Sequence, residues 1–437
     1  MRNDTPLSQK SIALFFFPLV LNVQFMSVSH SIINAGLARL DDAVTVLAAF
    51  SVAMVLHLFV ASPSYQNHTI TIAMVRGRRS LRAMLLFVLL IAVWVSILLG
   101  LLAFSPVGNF VLDRLLGVNP EVARGARDAL GLLVLLPFIT GLRGLFQGLV
   151  IRARRTSLVS FATAVRIGML FVYLWLGQFW YDGTKVAAFA LLGCVATETA
   201  VIGWFAWRVK LPADPDDNRT FSELLAYGLP LAYSSGLQQT VPLLINAIIS
   251  RLPDGTLALA AFGVLRGFLF LLAGPMRNLQ QAYLTLVRNA TDSHALTIFF
   301  RRVSGGMGLV MLLIAWPLNR SVLGTVMGLD DTMRLYLAWP LTACALFPFL
   351  YGAANLLRGW FAANHLTGRL GRSTLYKALL IVALWPLVVL SPLPLPGIAV
   401  AIALLLGAEF CEMGYLYRQR RVLLRSDQRM DTGSGTR

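Results

Sequence analysis

Five arginines interrupt apolar stretches of this chain: Arg143, Arg166, Arg266, Arg277 and Arg358. Each costs about 2.5–3.5 kcal/mol at the centre of a membrane helix, so five left bare would cost on the order of 15 kcal/mol. Such side chains must be paired or wet. Arg166 lies about nine residues inside one end of its apolar run, and Glu198 lies about nine residues inside the same end of the following run. Equal depth predicts an ion pair. Lys377 and Glu409 repeat the arrangement in the second half of the chain, whereas Glu412, one turn beyond Glu409, has no counterpart in the first half. Arg143, Arg266, Arg277 and Arg358 are then left with no acidic residue at matching depth. A free guanidinium in such a place suits phosphate or carboxylate oxygens, which it grips with charge-assisted, often bidentate hydrogen bonds.

Uncharged polar residues extend the pattern. Gln147 stands one turn from Arg143 and Asn355 stands beside Arg358. Arg266 and Arg277 are eleven residues apart, three turns of a continuous helix, and are expected on one face. Gln24, Ser27, Ser31 and Asn34 form one polar stripe, and Ser235, Gln238, Gln239 and Asn246 form another. Taken singly, each stripe reads as hydrogen bonding between helices. Taken with four unpaired arginines, they read as walls of a water-filled cavity between two lobes. His57 joins the candidate lining through its place one turn from the position that the repeat described below aligns with Arg266, while His30 and His68 read as packing residues. No nucleotide-binding, hydrolase or metalloprotease motif is present, so an enzyme is not expected. Cys194, Cys344 and Cys411 sit in apolar runs without metal-ligand spacing. Neither a metal nor a cofactor is expected.

The elements that must position these residues announce themselves by composition. A mean hydropathy of +0.72, with 57% hydrophobic and 13% charged residues in 437, is too apolar for a soluble surface. Apolar runs long enough to cross a bilayer fall at about 11–38, 43–75, 83–104, 128–151, 157–178, 184–207, 223–250, 256–287, 300–318, 335–362, 373–391 and 396–417. The first run lacks a cleavage site and reads as an uncleaved helix. Sliding the chain by 212 positions superposes 18–76 on 230–288 with 17 of 59 residues identical, and a shift of 211 carries the match on to Glu198 and Glu409. The expected fold is therefore all-α and polytopic, with twelve transmembrane helices arranged as two parallel six-helix repeats around a central cleft. Residues 1–207 would form one lobe, 208–222 a linker, 223–417 the second lobe and 418–437 a basic tail. Pro18, Pro63 and Pro137 match Pro230, Pro275 and Pro348, and each is expected to kink its helix.

The net charge of +17 could suggest nucleic acid, but the basic residues occupy loops rather than one folded patch, so no nucleic-acid partner is expected. One side of the membrane holds 24 Lys and Arg, Lys377 included, and the other eight, which predicts that both termini are cytoplasmic. Arginine abundance and short loops suggest a bacterial inner membrane; a monomer in the lipid bilayer is expected.

The sequence resembles the multidrug/oligosaccharidyl-lipid/polysaccharide (MATE-like) flippase superfamily in its two six-helix halves. At Asn34-Ala35-Gly36-Leu37-Ala38-Arg39-Leu40-Asp41-Asp42-Ala43-Val44, at Leu136-Pro137-Phe138 and over 397–418 it resembles the progressive ankylosis family. That resemblance implies export of small anions such as pyrophosphate, ATP or citrate through alternating access of the cleft. Competing readings are a flippase for an anionic lipid-linked headgroup, a multidrug extruder and a non-transporting scaffold. A multidrug extruder uses a cavity carboxylate to bind cations, whereas Glu198, the one membrane acid of the first half, is already assigned to Arg166.

Overall fold

The computed structural model describes residues 7–37, 40, 42–115, 120–209, 217, 219–249, 251–252, 254–326, 331–390 and 395–433. The side chains of Ser27, His30, Ser31 and Asn34, together with linker residues 210–216, lie outside that description. No strand occurs among the described residues.

The first half runs α1 (Gln9–Leu37), α2 (Ala43–Val60), α3 (Asn67–Met74), α4 (Arg78–Phe104), the single turn α5 (Pro106–Asn109), α6 (Pro120–Leu133), α7 (Leu136–Arg152), α8 (Thr156–Gly177) and α9 (Thr184–Trp207). The second half runs α10 (Phe221–Ile249), α11 (Gly255–Leu272), α12 (Asn278–Leu286), α13 (Ala290–Ala315), α14 (Asp331–Cys344), α15 (Phe347–Ala363), α16 (Thr367–Leu390) and α17 (Gly397–Gly433). The repeat is thus written in the elements. Helix α10 is α1 shifted by 212 with the same length of 29 residues, and α15 is α7 shifted by 211 with the same length of 17. Eight spans are long and apolar enough to cross a bilayer, and the bent pairs α2–α3 and α6–α7 add two. Helix α10 and the pair α11–α12 complete the twelve.

Four spans are broken, and prolines mark the breaks. Pro63 and Pro275 open short 3-10 turns, Ser62–Gln66 and Gly274–Arg277, before α3 and α12. Pro137 and Pro348 occupy the first turn of α7 and α15. In a first turn the missing N–H has no partner to lose, so proline starts a new helix there at little cost. The resulting bends are 59° between the segments on either side of Ala61 and 48° between α6 and α7. Pro18, by contrast, lies inside α1, which continues through it.

Two compact units result: residues 13–236, here the N-lobe, and residues 1–12 with 237–437, here the C-lobe. The boundaries fall inside α1 and α10 rather than in the linker at 208–222, which corrects the division read from composition. The first half of α10 belongs with the N-lobe because the linker is fastened there. Asp217 accepts hydrogen bonds from the Ser80 amide and hydroxyl, both at 2.9 Å, at the start of α4. Correspondingly, Leu7 donates to Asp292 Oδ1 at 3.4 Å and Gln9 to the Ala295 carbonyl at 2.8 Å, tying the first residues to α13. Helix α17 continues into the basic segment after 417 as far as Gly433.

Each lobe has its own apolar core. Phe50, Leu99, Leu130, Leu170 and Leu191 meet in the N-lobe; Phe262, Leu265, Met311, Leu341 and Ile398 meet in the C-lobe. Large apolar side chains also face outward along the spans, among them Leu90, Phe171, Leu309 and Leu379, which suits a lipid solvent. Trp175 and Trp180 near the end of α8, and Trp316 against Trp339, are exposed aromatics of the kind that settle at a membrane interface.

Candidate functional site

In the N-lobe, α7, α8 and α9 converge on Glu198, whose side chain is fully buried. Arg143 Nη1 donates to Glu198 Oε2 at 2.9 Å and Arg166 Nη1 to the same oxygen at 3.3 Å. The other oxygen, Oε1, accepts from the Thr163 hydroxyl at 2.7 Å and from Gln147 Nε2 at 3.5 Å. Thr163 Oγ1 also lies 2.6 Å from Asn22 Oδ1, which brings α1 to the edge of the cluster. Two guanidinium groups therefore share one carboxylate.

In the C-lobe, α15, α16 and α17 build the corresponding cluster. Lys377 pairs with both Glu409 and Glu412, the latter at 3.2 Å, and Arg358 pairs with Glu412. The Thr374 hydroxyl accepts from Arg358 at 3.4 Å, and Ser373 donates to Glu412 at 3.5 Å. The Gln238 amide oxygen, turned toward α15, accepts from Arg358 Nη1 and Nη2 at 2.7 and 3.1 Å.

Several sequence expectations change here. Arg143 and Arg358 are not bare; each reaches a buried carboxylate. The physical reason is sharing: Arg143 stands nine residues from the end of α7 and Glu198 nine from the end of α9, so the carboxylate assigned to Arg166 is level with a second guanidinium as well. Asn355 is buried but donates to the Tyr351 carbonyl of its own helix, not toward Arg358. His57 is buried at 3% exposure, with Nδ1 lacking a partner, so it lies inside the N-lobe rather than on a wet wall. Asn246 is half-buried on α10. Arg266 and Arg277 are both exposed, and among the described residues neither has an ion-pair partner. The turn at Gly274–Arg277 interrupts the helix between them, so the continuous face expected for them does not exist.

Sequence reasoning missed Thr163 and Asn22, and it left Glu412 without a role. Thr163 was detectable, because the shift of 211 places it on Thr374, which also serves its cluster. A cavity of about 890 Å³ opens elsewhere in the N-lobe, lined by Arg124, Arg127, Asp128, Trp180, Asp182 and Lys185. Lys185 is thirteen residues from Glu198 on α9, roughly 20 Å along the axis, so this cavity is separate from the cluster. No group of three His, Cys, Asp or Glu among the described residues is placed to hold a metal ion.

Two six-helix repeats, broken at matched prolines and each centred on a buried cation–carboxylate cluster, define a polytopic membrane protein with the fold of MATE-type transporters. The chain superposes on a MOP-superfamily transporter of Pyrococcus furiosus, described as having a binding pocket of reversed polarity that suggests a different function, with a TM-score of 0.72. Identity is 14%, covering 94% of this chain and 95% of that one. An outward-facing multidrug resistance MATE transporter matches with a TM-score of 0.73 at 16% identity over 95% and 96% of the two chains. The eukaryotic MATE transporter AtDTX14 matches at 0.70 and 15% identity over 93% and 94%. Within that fold the sequence itself points to a particular family: residues 6–178 match the family model of progressive ankylosis protein (ANKH). The match contains two of the three stretches that carry the resemblance, Asn34 to Val44 and Leu136-Pro137-Phe138.

Proposed function

We propose that this protein is a secondary transporter that exports small anions, with pyrophosphate, ATP and citrate as the candidate substrates, by exposing cationic residues alternately to the two sides of the membrane. The observation that carries the reading is a surplus of positive charge at membrane depth. Among the described residues, six cations in the spans, Arg143, Arg166, Arg266, Arg277, Arg358 and Lys377, are set against three paired carboxylates, Glu198, Glu409 and Glu412. Arg266 is the sharpest case, exposed about eleven residues into α11 with no acidic partner among the described residues. An exposed cation there is tolerable only against water or an anion.

Two further points support the reading. The Pyrococcus furiosus transporter of the same fold is described as having a pocket of reversed polarity, so the fold accommodates a change of charge preference. The excess of Lys and Arg in the loops of one side supports cytoplasmic termini under the positive-inside rule. The test is efflux of labelled pyrophosphate, ATP or citrate from proteoliposomes, with Arg266→Gln and Arg277→Gln beside the wild type. Arginine-dependent release of any one supports the reading. Undiminished release from both variants, or no release from folded wild type under a proton or sodium gradient, sinks it.

A further inference from the structure

The two clusters share a plan and differ in charge. A shift of 211 superposes Thr163, Arg166 and Glu198 on Thr374, Lys377 and Glu409. Around that common triad three positions diverge: Arg143 corresponds to Ala354, Gln147 to Arg358 and Val201 to Glu412. In the C-lobe two cations meet two carboxylates. In the N-lobe two cations meet one.

We infer that the N-lobe cluster is the seat of an oxyanion, a carboxylate or phosphoryl group of the substrate, and that the C-lobe cluster is its internally neutralised structural counterpart. This rests on the anion-transport reading and assigns it to one lobe. The surplus positive charge in the N-lobe is costly to bury unless something supplies a negative group. Glu198 supplies one and has no more to give, because both arginines crowd its Oε2 while Oε1 is taken by Thr163 and Gln147.

The two arginines have different tasks. Arg166 is 3% exposed and Arg143 is 12% exposed, so Arg143 is the one an incoming group reaches first. Its Nε has no protein partner, and that of Arg166 has none either. Spare donors on a planar fork are what bidentate recognition of an oxyanion uses. The C-lobe offers no such vacancy: Arg358 is engaged by Glu412, Thr374 and Gln238 together. Arg143 rests on Glu198; on binding it turns to the ligand while Arg166 keeps Glu198 neutralised.

The repeat itself supplies the decisive variant. Val201→Glu places a carboxylate where the C-lobe has Glu412, converting the N-lobe to the balanced arrangement from within. Arg143→Gln balances it the other way, by removing the surplus cation. Equilibrium binding of labelled pyrophosphate, labelled citrate and a pyrophosphate-linked lipid is measured on purified full-length protein, with thermal unfolding of each variant alongside. Both variants are expected to stay folded, and affinity for the bound anion should fall by about tenfold or more in each. The arm that binds identifies the source of the oxyanion. Wild-type affinity in folded Arg143→Gln overturns the seat while leaving anion transport standing, and this variant decides alone if Val201→Glu does not fold. Absence of binding by the wild-type protein in all three arms overturns the anion reading itself.

Discussion

Glu198 is the residue on which the N-lobe depends, since one buried carboxylate serves two guanidinium groups. Removing one partner of a buried pair typically costs about 3–5 kcal/mol, because the remaining charge stays buried without compensation. Glu198→Gln is expected to cost that much in thermal unfolding, and Glu412→Gln less, because Lys377 retains Glu409 and Arg358 retains Gln238 and Thr374. Equal losses in the two variants would show that the lobes are not electrostatically distinct. The Arg166–Glu198 contact was readable from the sequence because both residues stand at one depth and the motif recurs in the second half. Arg143 was not, since it is level with Glu198 but that carboxylate had been assigned to Arg166 alone, and depth does not say how many cations one carboxylate holds. Glu412 was visible as an acid without a counterpart; its companion, Arg358, is likewise the residue that replaces a glutamine in the repeat.

At the scale of elements, close backbone approach lets the broken spans pack. A Cβ added at Gly148 of α7 would lie 2.5 Å from Thr71 Cβ on α3, and one at Gly359 of α15 would lie 2.5 Å from Tyr283 Cβ on α12. These glycines are repeat partners at a shift of 211. Gly148→Ala and Gly359→Ala are each expected to destabilise by about 1–3 kcal/mol through overpacking. Because the sites lie in different lobes, the double variant should show nearly the sum in chemical or thermal unfolding. The linker adds a second element-level device in Asp217. Burial alone would raise its carboxyl, but the Ser80 amide and hydroxyl and the charge of Arg219 outweigh burial and hold it below the ordinary 3.8. A carboxyl depressed by folding stabilises above its unfolded value and loses that contribution as pH falls through its folded value. Asp217→Ala should therefore cost about 1 kcal/mol near neutral pH, typical of a lost helix cap, and the difference from wild type should fade as pH drops below 3.8. A difference that persists in acid would mean that Asp217 contributes packing rather than charge.

For the whole molecule, the number of spans and their internal repeat were legible because hydropathy and self-similarity are direct readings of the chain. The lobe boundaries were not. A polar, proline-bearing stretch looks like a divider, yet residues 221–236 pack with the N-lobe, and that allegiance is set by tertiary contacts such as Asp217 on Ser80. The prolines were legible as landmarks, and the spans do bend at the breaks beside Pro63 and Pro137, but that each bend separates two helices was not legible. Four of the six begin a second helix, and nothing in a single span's composition separates a kink from a helix start.

The unequal charge of the two clusters bears on how such a chain can evolve. A six-helix ancestor working as a pair of identical copies would have carried the same cluster twice, because any substitution in its gene appears in both. Val201 opposite Glu412, and Arg143 opposite Ala354, are therefore differences that only a duplicated gene can hold. Fusion lets one half become a balanced buttress while the other keeps its charge in excess, so a division of labour between halves becomes heritable on a single polypeptide.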